Sequence, residues 1–274
     1  RIDCVQLPIL RTLALVAVGN AAIEGKNVAG FFPGDPLFRY SASLDFMTPR
    51  ENGALRRVSA DAVDWFGKLK ARKCRGLRLH NSPMQQNQKL GHIDERLLVG
   101  MVGGGPRWLI EAVQPTRAEI WEGLDRLGDR DDPEQKIWRG AYLMLGATEQ
   151  QGDADRDVAA ATRDVRSALT AIEAFAREIP GAPFASEFAE ALSILAGGQI
   201  GAPGLDFLDL TDLDADARRL LAASAQGWLF GAMGSWNDIG VEEGLSARYE
   251  ETSEALFLAL QRAATAVANS TFRA

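Results

Sequence analysis

Hydrophobic residues fill the stretch from Leu7 to Ile23 almost without a break, interrupted at Arg11, Thr12 and Asn20. The run falls short of the roughly 20 apolar residues that span a bilayer and lacks a small-x-small cleavage site, so it predicts a buried helix. Residues 38–47 then place Phe38, Tyr40, Ala42, Leu44 and Phe46 on one side and Arg39, Ser41, Ser43 and Asp45 on the other. That alternation is the period of a half-buried strand. Phe31 and Phe32 precede the turn residues Pro33, Gly34, Asp35 and Pro36, so a hairpin is expected here.

Ser59 opens a second helix as a cap, with Val63, Phe66 and Leu69 at helical spacing. After Gly76, the stretch LRLH reads as a short strand, and RLLVGMV and RWLIEAV read as two strands around the glycine turn at Gly103, Gly104 and Gly105. From Thr116 onward the period becomes helical and no further strand is expected. Thr116 and Glu119 have the spacing of a capping box, with Ile120, Leu124 and Leu127 on one face. Asp132 and Pro133 start another helix whose face is Ile137, Ala141, Met144 and Leu145.

A long helix is expected from about Asp155 to Ile179, with Val158, Val165, Ile172 and Ile179 recurring at the heptad interval of packed helices. Pro180 stops it. Phe184, Phe188, Leu192 and Leu195 mark a shorter helix ending at Gly197 and Gly198. Residues 215–233 are apolar nearly all round and predict a central buried helix, with a small-residue stripe at Ala223, Gly227 and Gly231. The last helix carries Tyr249, Leu256, Leu260, Ala263 and Val267 on one face.

Together these elements predict an α+β protein: an N-terminal antiparallel β-sheet of about five short strands with covering helices, over residues 1–115, then an all-helical C-terminal region, 116–274. The two regions are expected to pack as one globular unit. A mainly α single domain with a small sheet is the alternative. The element order of the first half is similar to that of roadblock-like and profilin-like modules. This is an analogy of order alone and implies nothing about function.

Charge narrows the possible partners. The chain carries 30 Lys and Arg against 37 Asp and Glu, a formal net charge of -7, which argues against a general grip on nucleic acid or anionic lipid. Neither a nucleic-acid nor a membrane partner is expected. Two cysteines, Cys4 and Cys74, are too few for a disulfide framework in this length and favour a reducing, cytoplasmic setting. The triplet Asn269, Ser270, Thr271 matters as a glycosylation signal only in a secreted protein.

One positive patch stands out: Lys68, Lys70, Arg72, Lys73, Arg75, Arg78 and His80. Arg and Lys supply charge-assisted donors for a phosphate, a carboxylate or an acidic partner, whereas the competing reading is a solvated helix end favoured by the dipole. Cys74, His80 and His92, with Asp94 and Glu95, are metal-ligand types without CxxC or HxxxH spacing, so no metal site and no cofactor is expected. Cys74 activated by His80 is the one nucleophile with chemical sense. The alternating Asp153, Asp155, Asp157 and Asp212, Asp214, Asp216 read as helix N-terminal carboxylates, since Ala217 stands where a calcium loop needs glycine. Gly103 to Gly105 lack the following helix of a phosphate cradle. Trp236, Asn237 and Asp238 combine an aromatic with small polar groups on an expected loop, as recognition loops do. Glu250 and Glu254 read as a solvated acidic face.

Two functions follow as expectations. The first is a non-enzymatic interaction or regulatory protein, joined to a protein partner or to itself. The second is an enzyme or sensor that binds a small anionic metabolite at Arg75, Arg78 and His80, with Trp236, Asn237 and Asp238 completing the pocket.

Overall fold

The computed structural model describes residues 7–83, 94–101, 104–149, 154–200 and 204–273. Among them, helix α1 (Leu7–Glu24) leads to strands β1 (Ser41–Pro49) and β2 (Leu55–Ser59), helix α2 (Ala62–Ala71) and strand β3 (Gly76–Ser82). A short helix α3 (Glu95–Leu98) precedes β4 (Arg107–Val113), β5 (Ala118–Leu127) and β6 (Trp138–Thr148). Helices α4 (Val158–Glu178), α5 (Ala185–Leu195), α6 (Ala215–Gly227) and α7 (Ser246–Ser270) follow.

The helices follow the sheet, as expected, but the sheet itself departs from the expected one. It has six strands in the order β2-β1-β6-β5-β4-β3, and β1 pairs with β6 in parallel while every other pair is antiparallel. Thus residues 118–148, expected as two helices, are the two central strands, and the expected boundary at 115 falls in the β4–β5 turn.

The reason lies in what the strands bury. On β5 the inward positions include Glu119, Trp121 and Asp125, so two of them are carboxylates and the apolar alternation is hidden. Each carboxylate meets an arginine from the helical layer. Arg72, at the end of α2, holds Glu119 through two bonds of 2.8 and 2.9 Å. Arg11 of α1 holds Asp125 through bonds of 2.8 and 2.7 Å. Gly140, opposite Asp125 on β6, makes room for this pair: a Cβ there would lie 2.9 Å from the Arg11 guanidinium. Asp132 does not start a helix. It accepts from the amides of Glu134 and Lys136 in the β5–β6 connection, as Asx turns do.

Other local expectations shift for similar reasons. The turn residues after Phe32 make no hairpin. Asp35 instead caps a 3₁₀ turn (Pro36–Phe38), accepting from Leu37 N at 2.9 Å, and packs Phe38 edge-on against Phe31 in the core. The hairpin is β1–β2, closed at residues 50–54. Asp61, not Ser59, caps α2. The stretch read as a strand before the glycines is, over its described residues 96–101, the end of α3 and the turn after it.

Burial pushes the Asp35 carboxyl from its ordinary 3.8 up to about 6. A carboxyl whose folded-state pKa is raised stabilises the fold below its unfolded pKa, and the contribution is lost as pH rises through about 6. Asp35→Asn keeps an acceptor for Leu37 and removes the charge. It is expected to raise stability at pH 8 by about 2 kcal/mol, several degrees in Tm, and to change little at pH 4. Thermal melts at the two pH values check this.

The helical half matches its spacing closely. Val165, Leu169, Ile172 and Ala176 of α4 and Leu256, Leu260, Ala263 and Val267 of α7 are buried in one cluster with α1 and the sheet. Helix α6 ends earlier than expected, at Gly227. There the small side chain is needed inside the chain: a Cβ would lie 3.0 Å from Leu169 Cδ2. Gly231 lies beyond the helix with φ +88°. The small-residue stripe is therefore split, and its helical part packs internally.

Helix α1 is central, with Leu13, Ala14, Leu15, Val16 and Val18 fully buried. Its polar interruptions are bonded: Thr12 Oγ1 lies 2.8 Å from the Tyr142 hydroxyl, and Asn20 serves the sheet. No helix among the described residues is long and apolar enough to cross a membrane.

The β3 edge of the sheet is closed by side chains. Asn20 of α1 accepts from Leu77 N at 2.6 Å and donates to Leu77 O at 3.0 Å. Asn269 of α7 does the same for Leu79, at 2.7 and 3.0 Å. Two carboxamides thus stand in for a neighbouring strand, which removes the hazard of an open edge. Asn269 is 2% exposed, so the glycosylation-type triplet is folded into the core. At the other edge, β2 is short and carries the exposed Arg56 and Arg57.

Candidate functional site

The basic stretch is divided among elements that neutralise it. Lys68 on α2 donates to Asp64 and to Val58 O, both at 2.6 Å. Arg72 is committed to Glu119. On β3, alternation sends Leu77 and Leu79 into the core and Arg78 and His80 to the other face. There they meet Glu111 of β4, which is fully buried: His80 Nε2 lies 2.8 Å from its carboxylate, and Arg78 lies 3.7 Å away. The Arg78 guanidinium stacks on Phe272, 4.3 Å from the ring centre. Arg75 is exposed at the start of the strand, with its backbone N–H bonded to Val113 O.

Arg78 lines a small polar notch with Ala154, Arg156, Asn269 and Phe272. Arg156 was not singled out by sequence. It stands just before Asp157, the N-cap of α4.

Trp236, Asn237 and Asp238 form a 3₁₀ turn rather than an open loop. Trp236 is fully buried among Phe175, Phe184, Phe188 and Tyr249, and its indole N–H donates to Ser253 Oγ at 2.7 Å. Asp238 accepts from the amides of Gly234 and Ser235 and completes a capping box. Asn237 donates to Arg96 O at 2.7 Å and accepts from the Arg96 guanidinium at 3.3 Å. These three residues are not beside Arg75, Arg78 and His80. Ser253, under Trp236, and Asn269, beside Arg78, are separated by about 24 Å along α7.

Arg96 is the residue that sequence reading missed at this end. It is fully buried, pairs with Glu250 and approaches Glu254 at 3.8 Å, and lies 5.3 Å from the Tyr249 ring centre. Glu250 and Glu254 are half-exposed but turned toward it, so they are more than a solvated face. The signal was the i, i+4 carboxylate pair, which has no meaning until its cation is located.

Cys74 is buried, its thiol donates to Gly76 O, and burial raises its pKa to about 11. A thiol held protonated at neutral pH is a poor nucleophile. With a maleimide at pH 7, native protein is expected to modify Cys74 only after denaturation. Peptide mapping before and after unfolding checks this, and rapid native labelling of Cys74 would revive the nucleophile reading. Cys4, His92, Gly103 and Asp153 lie outside the described residues. Among those described, no three His, Cys, Asp or Glu side chains converge as metal ligands would.

The face of the sheet opposite α1 and α2 carries apolar positions that, among the described residues, lie outside the core. One row runs from Met47 through Leu143, Glu122 and Leu109 to His80, each opposite the next in register. The neighbouring row runs from Asp45 through Ala141 to Leu124, and Arg107 follows Leu109 two positions back on β4. Leu124 is 40% exposed, Met47, Leu109, Ile120 and Leu143 are half-buried, and none of the five belongs to the core or packs against it. Ion pairs flank them: Arg57 with Asp45 at 3.1 Å, and Arg107 with Glu122 at 2.5 and 2.8 Å. Compared with protein-family models, with curated proteins and with solved structures, the chain matches none.

Proposed function

We propose that this chain is a non-enzymatic interaction or regulatory protein that engages a protein partner or a second copy through the open face of its sheet. The observation that carries the reading is the set of five apolar side chains, Met47, Leu109, Ile120, Leu124 and Leu143, which lie outside the core between charged pairs. Contiguous exposed apolar surface rimmed by charge is characteristic of interaction sites. The pairing of Arg72, Arg78, His80 and Arg96 with carboxylates supports the same reading, because these groups serve the fold. The cytoplasmic setting expected from the cysteine content belongs to this proposal.

The test compares capture by immobilised wild-type protein with capture by Leu124→Lys/Leu143→Lys, once circular dichroism has shown equal folding. A specific partner lost only with the variant is expected. Equal recovery by both overturns the reading.

A second reading, an anion-binding enzyme or sensor, is favoured by the notch where Arg78 and Arg156 share one wall. It now excludes Trp236, Asn237 and Asp238, which lie at the far end of α7. Titration with phosphate and citrate, read by calorimetry, should show binding that Arg78→Ala and Arg156→Ala each abolish and Arg75→Ala weakens. No heat with either anion removes it.

A further inference from the structure

We infer that the occupant of the open sheet face is a second copy of this chain, stacked face to face about a two-fold axis that runs along the strands between β5 and β6. This rests on the interaction reading above and names its partner. The argument is the symmetry of the face itself. In the order β1-β6-β5-β4, such an axis lays β1 of one copy over β4 of the other and β6 over β5. Positions along the strand direction are kept, so rows meet themselves. Met47 then faces Leu109 of the second copy, and Ala141 faces Leu124. Asp45 at one end of its row comes over Arg107 at the other.

An isologous contact requires such self-complementarity, since each patch must fit its own image. Met47 and Ala141 meet apolar positions, Leu143 meets Glu122, and Asp45, paired in its own chain with Arg57, comes over Arg107, paired in its own chain with Glu122, once on each side of the axis. Glu122 enters the interface near Leu143 of the other copy with its charge already held by two bonds from Arg107. Packed sheets accept this geometry, with strands crossing at about 30° and side chains filling a gap of about 10 Å.

Size sets the strength. Four strands at about 4.8 Å spacing present a strip well below the ~800 Å² per partner of a standard interface, so the association should be micromolar or weaker. Sedimentation equilibrium on the full chain between about 1 µM and about 1 mM should therefore show a monomer passing to a dimer, without larger species. Leu124→Lys, which places a charge over Ala141 of the second copy, should raise the dissociation constant at least ~tenfold with unchanged circular dichroism.

Geometry is read separately by cross-linking. In a Cys4→Ser background, Met47→Cys/Leu109→Cys is treated with a bis-maleimide shorter than about 10 Å. Positions 47 and 109 of one chain are three strand spacings apart, about 14 Å, so the reagent can join them only between chains. Covalent dimers mapped to 47–109 links are expected.

A monomer throughout the concentration range overturns the inference, as do links that join 47 only to 47. Its failure is distinct from that of the interaction reading. A monomer whose Leu124→Lys/Leu143→Lys variant still loses a captured partner keeps that reading, and a monomer with unchanged capture loses both.

Discussion

The Asn20→Leu/Asn269→Leu double variant is expected to be largely unfolded at room temperature. Each asparagine satisfies one N–H and one C=O on the outer edge of β3, at sites sealed from water. Leucine matches the volume but cannot bond, and a buried backbone group left without a partner costs about 1–3 kcal/mol. Four such groups approach the whole stability of an ordinary domain, about 5–15 kcal/mol. Each single variant should lose about 2–5 kcal/mol, read as a lowered urea midpoint at unchanged slope. Asn27→Leu, at an exposed asparagine, is the control and should change stability by less than about 0.5 kcal/mol. If the two single variants melt like the control, the carboxamides do not hold the edge.

The second large effect is expected from two residues that look unimportant. Glu250→Gln/Glu254→Gln changes two half-exposed side chains on a helix surface, where such changes are usually worth less than about 0.5 kcal/mol. Here the exchange strips the counter-charges from Arg96, a guanidinium with no exposed surface. A buried charge left without its partner costs several kcal/mol, and the partial exposure of the carboxylates reduces this to about 2–3 kcal/mol. Adding Arg96→Met should recover part of the loss, because the charge is gone and an unbranched side chain refills the space. Denaturant midpoints of the double and triple variants give the comparison. A triple variant less stable than the double would show that Arg96 acts by packing rather than by charge.

These effects also show why some of the molecule is legible in its sequence and some is not. Helices α4, α5 and α7 bury purely apolar stripes, so spacing alone finds them. Strand β5 reads as a helix because Glu119 and Asp125 occupy inward positions, and β6 because Asp132 and Pro133 resemble a helix start and Ile137, Ala141, Met144 and Leu145 fall at helical spacing. A carboxylate pointing into a protein looks like a surface residue until Arg72 and Arg11 are placed against it. The same blindness covers Arg96, Asn20 and Asn269, whose roles depend on partners from 57 to 190 positions away. For the candidate site, the alternation of Leu77 and Leu79 with Arg78 and His80 correctly sends the basic side chains off the core. Nothing local reveals Glu111 beneath them, or that Trp236 is at the far end of α7. The open apolar face was not anticipated, because its residues come from four strands and two of those were not recognised.

The closure of the β3 edge by Asn269 has a consequence for synthesis. A chain leaving the ribosome can complete β3, β4, β5 and β6 while α7 is still in the exit tunnel, and β3 then offers an unsealed strand to its surroundings. Only when residue 269 has emerged and docked beside Leu79 does that strand lose its capacity to recruit another. The β3 edge at Leu79 therefore stays unsealed from the translation of β6 until residue 269 emerges, and slowing translation over residues 150–270 should lengthen that interval.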